Sequence, residues 1–180
     1  MQTSDFLIIG AGIAGASVAH FLAPHGRVTL LERESQPGYH STGRSAAMYI
    51  ASYGTPQVRA LTLASRAFFD APPAGFADQP ILTPRGSLLV AAPEQADALD
   101  EHVELLARMA PGSRRLDRAQ TLALLPVLRP ERVLGAAYEP AAADIDVHAL
   151  HQGYLRGARR AGASLVCDAE VAQVERHGGR

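Results

Sequence analysis

The sequence predicts an α/β fold that opens with a Rossmann-like βαβ unit. Two short apolar runs, Phe6–Ile9 and Val28–Leu31, are typical of strands buried on both faces. Between them, residues 13–24 carry apolar side chains at helical spacing, and Gly26 suits the left-handed residue that ends such a helix. Strand, helix and strand within about thirty residues define a βαβ unit with a right-handed crossover.

The rest of the chain alternates between further predicted helices and short strands. Helices are predicted over residues 45–51, 56–70 and 94–109, and from the capping residue Asp146 onward. Strands are predicted over residues 87–92, 133–138, 165–167 and 171–176. Gly178-Gly179 predicts a hairpin turn that no second strand follows, so we expect the chain to be the front part of a longer protein.

Composition excludes several classes of protein. All 17 basic residues are arginines, and neither a P-loop nor a Schiff-base enzyme can form here because both require a lysine. A formal net charge of -1 offers no electrostatic reason to expect a nucleic-acid or membrane-surface partner. No apolar run approaches about 18 residues, so no transmembrane segment is predicted. The single cysteine, Cys167, cannot form an internal disulfide, and we expect a reducing, cytoplasmic setting.

The strongest local motif is the glycine-rich turn at residues 10–15, between the first strand and the first helix. Gly10 allows the tight turn, Gly12 lets backbone approach a pyrophosphate, and Gly15 lets helix and strand pack closely. The helix N-terminus around Ala14 then offers free N–H groups and a partial positive charge to phosphates. The motif therefore predicts a bound dinucleotide.

Glu32 supports the dinucleotide interpretation. It lies 22 residues after Gly10, at the end of the second strand, where a carboxylate can bind ribose hydroxyls. A tight turn followed by a surface glutamate is the alternative, and the strand-turn-helix context argues against it. The motif alone does not separate a nicotinamide enzyme from a flavoenzyme.

A second small-residue loop just after Glu32 favours a flavin. Small residues permit close approach to a flat ring or a ribityl chain, and Arg44 can neutralise phosphate. An ordinary helix-capping loop is the alternative. The loop consists of Ser41, Thr42, Gly43, Arg44, Ser45, Ala46 and Ala47.

A family resemblance extends over nearly the whole chain. It begins with the glycine-rich turn, Glu32-Arg33 and the segment PGYHSTGRS at residues 37–45. It continues through residues 53–61, 67–70, 143–146 and 151–157. These segments resemble the D-amino-acid oxidase-like family of FAD enzymes and, within that family, the bacterial D-arginine dehydrogenases.

The resemblance implies a Rossmann-like FAD-binding domain interleaved with part of a mixed-sheet α+β substrate domain. We expect FAD-binding segments at residues 1–80 and 146–180, separated by a substrate segment at residues 81–145. Tyr53 matches a substrate-pocket tyrosine of the family. The implied FAD contacts are Ala14, Glu32, Arg33, the loop 41–47 and, through its backbone at the adenine end, Val171.

Two departures from the D-arginine dehydrogenase pattern concern the substrate. Met48 stands where those relatives place a histidine, and Ser87 stands where they place an acidic residue that would pair with a guanidinium. Without that counter-charge a cationic side chain is disfavoured. The two positions predict a smaller or more apolar amine as substrate.

No catalytic residue and no metal site is predicted. His40 lies in the cofactor loop near the place where some relatives attach flavin covalently, but a hydrogen-bonding loop histidine is the simpler interpretation. His148 and His151, three residues apart on the last helix, lack a third metal ligand and are predicted to be solvated.

The sequence therefore predicts an FAD-dependent dehydrogenase or oxidase for an amine or D-amino acid. Hydride would pass from the carbon bearing the amine to the flavin, and the imine would hydrolyse to an oxo acid and ammonia. The electron acceptor, whether quinone, dye or oxygen, is left open. An NAD(P)-dependent Rossmann dehydrogenase and a truncated, non-catalytic dinucleotide-binding fragment are the alternatives.

Overall fold

The computed structural model describes residues 3–176 and 178, so the predicted turn at Gly178-Gly179 lies partly outside the described residues. The strands are β1 Phe6–Ile9, β2 Val28–Leu31, β3 Met48–Tyr49, β4 Leu82–Pro84, β5 Ser87–Ala91, β6 Arg114–Asp117, β7 Gly135–Glu139, β8 Ala143–Ile145 and β9 Ser164–Val166. The α-helices are α1 Ile13–Leu22, α2 Pro56–Asp70, α3 Ala96–Met109, α4 Arg118–Leu124 and α5 Val147–Arg160.

The chain divides into two compact units that alternate along the sequence. Unit 1 comprises residues 1–46, 72–81 and 146–180, and unit 2 comprises residues 47–71 and 82–145. Among the helices of the described residues, none has the length and apolar character of a bilayer-spanning segment.

Unit 1 contains a parallel three-stranded sheet in the order β1-β2-β9. The register pairs Phe6 with Val28 and Thr29 with Ser164, which places β2 at the centre. The predicted βαβ unit is confirmed, but the predicted left-handed conformation of Gly26 is wrong, because Gly26 is extended with a φ of 173°. Burial on both faces is wrong for β1, an edge strand on which Leu7 and Ile9 are exposed.

Helices α1 and α5 pack closely in unit 1 because small residues line their contact. A Cβ atom on Gly157 of α5 would overlap the His20 ring of α1. The predicted cap of α5 is confirmed, since the Asp146 carboxylate accepts a hydrogen bond of 2.8 Å from the Ala149 amide. The apolar stripe of α5 buries Leu150, Tyr154, Leu155 and Ala158, as its spacing predicts.

Unit 2 contains two antiparallel three-stranded sheets, in the orders β3-β8-β4 and β5-β7-β6. The amphipathic helix α3 buries Leu99 and Leu106 in a cluster that includes Ala91 and Ala137 of strands β5 and β7. Helix α2 begins at Pro56, where the Thr55 hydroxyl accepts from the Val58 amide.

Two predicted elements are wrong. Residues 45–51 form no helix: Ser45 is extended, and Met48–Tyr49 pairs with β8 as a strand, so a ladder with a distant partner overrides the local helix propensity. Residues 171–176 form no strand, since no described strand pairs with them and an isolated strand cannot satisfy its own backbone groups. The sequence patterns also missed β4, β6, β8 and α4.

Candidate cofactor-binding site and substrate cavity

The glycine-rich turn of unit 1 has the geometry that its sequence predicts. Gly10 adopts a φ of +92°, the left-handed region in which a side chain is strained. A Cβ atom on Gly15 would overlap the Gly10 carbonyl oxygen, so only glycine lets α1 start this close to β1. Gly12 caps α1 with ordinary angles, and an added Cβ would meet only the Thr42 hydroxyl, at 3.1 Å.

The first helical turn of α1 directs its backbone N–H groups toward the glycine-rich segment. Thr42 Oγ1 accepts a hydrogen bond of 2.9 Å from the Ile13 amide. The next amides, those of Ala14 and Gly15, lie where a helix supplies no backbone acceptor. The amides of Ala14 and Gly15 are therefore available to an anionic oxygen at the start of α1.

Glu32 is buried at the carboxyl end of β2, with 8% of its surface exposed. Its Oε2 accepts a hydrogen bond of 2.9 Å from the Ala11 amide, and its Oε1 accepts one of 3.1 Å from the Glu34 amide. A buried carboxylate costs free energy unless hydrogen-bond donors satisfy it. The two amides satisfy Glu32 in part, and its remaining lone pairs can accept from the hydroxyls of a ligand.

A cleft of about 370 Å³ opens beside Glu32. It brings together three predicted cofactor residues distant in sequence: Gly10 of the turn, Arg33 after β2, and Val171. The cleft is lined by Ile9, Gly10, Leu31, Glu32, Arg33, His40, Ala169, Glu170 and Val171. Its place beyond the carboxyl ends of parallel strands is where α/β sheets bind ligands.

The loop 41–47 contributes unevenly to this site. Thr42 contacts the glycine-rich turn, and the Gly43 amide donates to the Gly38 carbonyl at 2.8 Å. The Arg44 guanidinium lies 5.0 Å from the centre of the Tyr39 ring and is exposed. Among the other predicted contacts, Ser41, Ser45 and Ala46 are exposed, and Ala47 belongs to unit 2, where its carbonyl accepts from Ile145.

His40 lies at the rim of the cleft, beside two charged side chains. Its Nε2 is 2.8 Å from an oxygen of Glu34, and Arg33 Nε donates to the same oxygen at 3.1 Å. The hydrogen bond with His40 lowers the pKa of the Glu34 carboxyl, and the hydrogen bond with Arg33 lowers it to a smaller extent. These contacts support His40 as a hydrogen-bonding loop residue.

His151 of α5 is a site residue that sequence reasoning missed. The prediction that it is solvated is wrong: 3% of its surface is exposed, and its Nε2 lies 2.8 Å from the Ala11 carbonyl oxygen. His148 is exposed, as predicted. The helical spacing of His151 with the buried Leu155 places both on the inner face of α5, and this was the available signal.

Unit 2 contains a cavity of about 490 Å³ lined by two of the predicted substrate residues, Tyr53 and Ser87. Ser87 of β5 pairs directly with Glu139 of β7, so their side chains share one face of the sheet. Glu139 lines the same cavity and is 2% exposed. Tyr53 is 72% exposed at the mouth.

Glu139 connects the sheet to the segment that precedes Tyr53. Its Oε1 accepts from the Ala51 amide and its Oε2 from the Ser52 hydroxyl, each at 2.7 Å. Among the described residues, no arginine or histidine lies within 4.0 Å of this carboxylate. Neutral donors therefore satisfy the charge that faces Ser87.

Met48, the third predicted substrate residue, lines a separate cleft of about 460 Å³ together with Ser87. Arg85 is the charged residue in that lining, and its Nη1 pairs with Asp144 at 2.8 Å. Met48 thus neighbours an arginine whose charge is already paired. Within the described part of the chain, no cluster of three histidine, cysteine or acidic residues can hold a metal ion.

The fold and the cleft of unit 1 define a dinucleotide-binding protein. The residues present fit FAD: glycine leaves the turn open, α1 presents amides, and the buried Glu32 lies where ribose hydroxyls would be held. The family of FAD-dependent oxidoreductases known as DAO matches residues 5–180. The chain belongs to this family, whose cofactor is FAD.

Known structures and curated proteins show the same relationship. Glycine oxidase from Geobacillus kaustophilus is 26% identical, with a TM-score of 0.79 over 93% of this chain and 47% of that one. Iminodiacetate oxidase from Chelativorans sp. BNC1 is 27% identical, with a TM-score of 0.69 over 90% and 46%. L-2-hydroxyglutarate dehydrogenase from Escherichia coli K12 is 46% identical over 56 residues, 29% of this chain and 13% of the relative. The chain thus spans about half the length of these solved relatives.

Proposed function

We propose that this chain forms the FAD-binding turn and part of the substrate domain of an enzyme that oxidises an amine or an amino acid. The observation that carries the proposal is the buried Glu32 carboxylate, bonded to the glycine-rich turn at the cleft of unit 1. The substrate class is supported by the likeness to glycine oxidase and iminodiacetate oxidase.

The proposed chemistry is oxidation at the carbon that bears nitrogen. FAD supplies the hydride acceptor when it is bound. Loss of hydride from the neutral amine leaves a protonated imine, which water hydrolyses, for an amino acid, to an oxo acid and ammonium. If the amine enters deprotonated, this chain has to supply no general base; its residues position the substrate and exclude water.

We place the substrate side chain at the cavity of unit 2, between Tyr53 and Ser87. Ser87 lacks charge, and Glu139 opposite already accepts two hydrogen bonds from its own domain. A guanidinium would therefore compete with the Ala51 amide and the Ser52 hydroxyl for the same oxygens. We infer a preference for uncharged side chains over arginine.

We propose the D configuration for the substrate from the sequence resemblance to D-arginine dehydrogenases. We propose a cytoplasmic location because the single cysteine, Cys167, cannot form an internal disulfide. A second candidate substrate is a 2-hydroxy acid, which is favoured by the 46% identity to L-2-hydroxyglutarate dehydrogenase over 56 residues. Oxidation of an alcohol would proceed at the same flavin, but the product would be an oxo acid without release of ammonia.

Anaerobic bleaching of the flavin in the intact protein tests these proposals. The panel contains glycine, neutral D- and L-amino acids, D-arginine, secondary amines and L-2-hydroxyglutarate. We expect fastest reduction by a neutral amine or D-amino acid, with stoichiometric release of ammonia from a primary amine or of a primary amine from a secondary one. Reduction by L-2-hydroxyglutarate alone would replace the amine by the hydroxy acid. A flavin that no member of the panel reduces would favour a non-catalytic binding module.

A further inference from the structure

We propose that His151 is a positioning residue for the FAD-binding turn, which it orients through a hydrogen bond to the Ala11 carbonyl. The proposal rests on the flavin site described above. No described residue other than His151 joins α5 to this turn through a side-chain hydrogen bond.

The hydrogen bond requires one tautomer of the imidazole. The Ala11 carbonyl oxygen can only accept, so Nε2 of His151, 2.8 Å away, must carry the hydrogen. The ring is 3% exposed, and the neighbouring helix positions Leu150 and Tyr154 are also buried. Buried polar groups are hydrogen-bonded in folded proteins, and the Ala11 carbonyl is the partner of this ring.

Because the peptide bond is planar, the hydrogen bond from His151 to the Ala11 carbonyl also sets the direction of the Gly12 amide. No cis peptide bond is present among the described residues, so the Ala11–Gly12 unit is trans and its C=O and N–H point to opposite sides. With the carbonyl held toward His151, the Gly12 N–H points away from α5. Glu32 holds the other amide of the turn, at Ala11. The turn is therefore fixed on both sides of Ala11, and the Gly12 amide is left to a ligand.

His151 also contacts the loop that closes the other side of the site. A Cβ atom on Gly38, which has a φ of +79°, would lie 2.9 Å from Cε1 of the ring. The Gly38 carbonyl accepts from the Gly43 amide, next to Thr42, whose hydroxyl caps Ile13. One imidazole thus contacts both the glycine-rich turn and the segment that places Thr42. Nε2 of His151 donates to the glycine-rich turn, and the imidazole ring lies against Gly38, where a side chain would be too close.

The test compares FAD dissociation constants of His151→Leu and His151→Gln in the intact protein. Glutamine places its amide nitrogen about where Nε2 lies, whereas leucine fills the space without a donor. We expect His151→Leu to weaken FAD binding about tenfold or more, and His151→Gln to restore most of the affinity. His148→Leu, an exposed position on the same helix, is the matched control and should bind like the wild type. Equal weakening by leucine and glutamine, or wild-type affinity in the leucine variant, overturns the proposal.

The wild-type protein provides a measurement that does not depend on the folding of a variant. Two-dimensional ¹⁵N NMR of the histidine rings reports which nitrogen carries the proton. We expect His151 to be protonated at Nε2, with that proton protected from exchange. A neutral ring protonated only at Nδ1 overturns the proposal. Wild-type protein that binds no FAD would instead overturn the flavin site itself, which separates the two failures.

Discussion

The Ala11 amide donates a hydrogen bond of 2.9 Å to Oε2 of Glu32, a residue 21 positions further along the chain. This bond joins the turn after β1 to the end of β2. The same carboxylate therefore binds the glycine-rich turn and lines the cleft in which we place the ribose.

Glu32→Ala should therefore weaken FAD binding by about 1–3 kcal/mol, the range for a charge-assisted hydrogen bond left unmade. Fluorescence titration of the apoprotein with FAD measures the change. Glu34→Ala is the control, because that carboxylate accepts from His40 and Arg33 at the rim. Equal affinities of the wild type and Glu32→Ala would show that Glu32 does not hold the ribose.

Gly12→Val should abolish flavin retention while leaving the helical circular-dichroism signal nearly unchanged. The backbone angles of Gly12 suit any residue, and an added Cβ atom meets only the Thr42 hydroxyl, so we expect the valine side chain to intrude chiefly on the pyrophosphate. Gly15→Ala provides the contrast: its Cβ would overlap the Gly10 carbonyl, and it should lower the melting temperature of the apoprotein. Full flavin occupancy in purified Gly12→Val would contradict the pyrophosphate assignment.

Ser87→Glu should move substrate preference toward D-arginine and D-lysine. The substitution supplies a carboxylate that, unlike Glu139, has no donors already bound to it. On the scale of polar recognition, kcat/KM for the cationic substrates should rise about a hundredfold relative to a neutral one. Ser87→Gln is the isosteric control and should leave the ratio unchanged. If the wild type already prefers D-arginine, the inferred role of Ser87 is wrong.

Glu139 should couple energetically to Ser52. Removal of the carboxylate strands the buried Ala51 amide and Ser52 hydroxyl, so Glu139→Ala should lower the free energy of unfolding by about 1–3 kcal/mol. A double-mutant cycle with Ser52→Ala should give an interaction of about 1 kcal/mol, measured by urea unfolding. The exposed Glu101→Ala on α3 serves as control. Additive effects would mean that the Ser52 contact contributes nothing.

His20 should make stability depend on pH. Burial lowers the pKa of its imidazole from 6.5, and its Nδ1 is buried with no hydrogen-bond partner among the described residues. The unfolded state therefore binds the proton more readily, and this contribution to stability, complete above 6.5, is lost as pH falls through the lower folded-state pKa. Thermal melts at a series of pH values around and below 6.5 measure this effect. The melting temperature of His20→Phe should depend less on pH than that of the wild type, whereas the exposed His148→Phe should keep the wild-type dependence. Parallel wild-type and His20→Phe profiles would contradict this account.

Local sequence patterns predicted much of the secondary structure of the FAD-binding unit. The glycine spacing acts through backbone geometry a few residues long, and Gly10 and Gly15 have the turn and the close packing that it predicts. The bond between Glu32 and the Ala11 amide spans 21 residues and was not predicted, and the role of Glu32 toward ribose stays a prediction. The Met48–Tyr49 strand escaped prediction because its partner, β8, lies about a hundred residues away and only pairing favours extension. The helical spacing of His151 indicated its inner-face position, but no local pattern reveals the distant backbone groups that His151 and Glu139 contact.

The most direct test of the central claim is the stoichiometry of FAD in the purified intact protein, beside that of its Gly12→Val variant. We expect one FAD per wild-type chain, retained through gel filtration, and none in the folded variant. Wild-type protein that is folded but colourless, takes up no added FAD and binds NAD(P)H instead would contradict it.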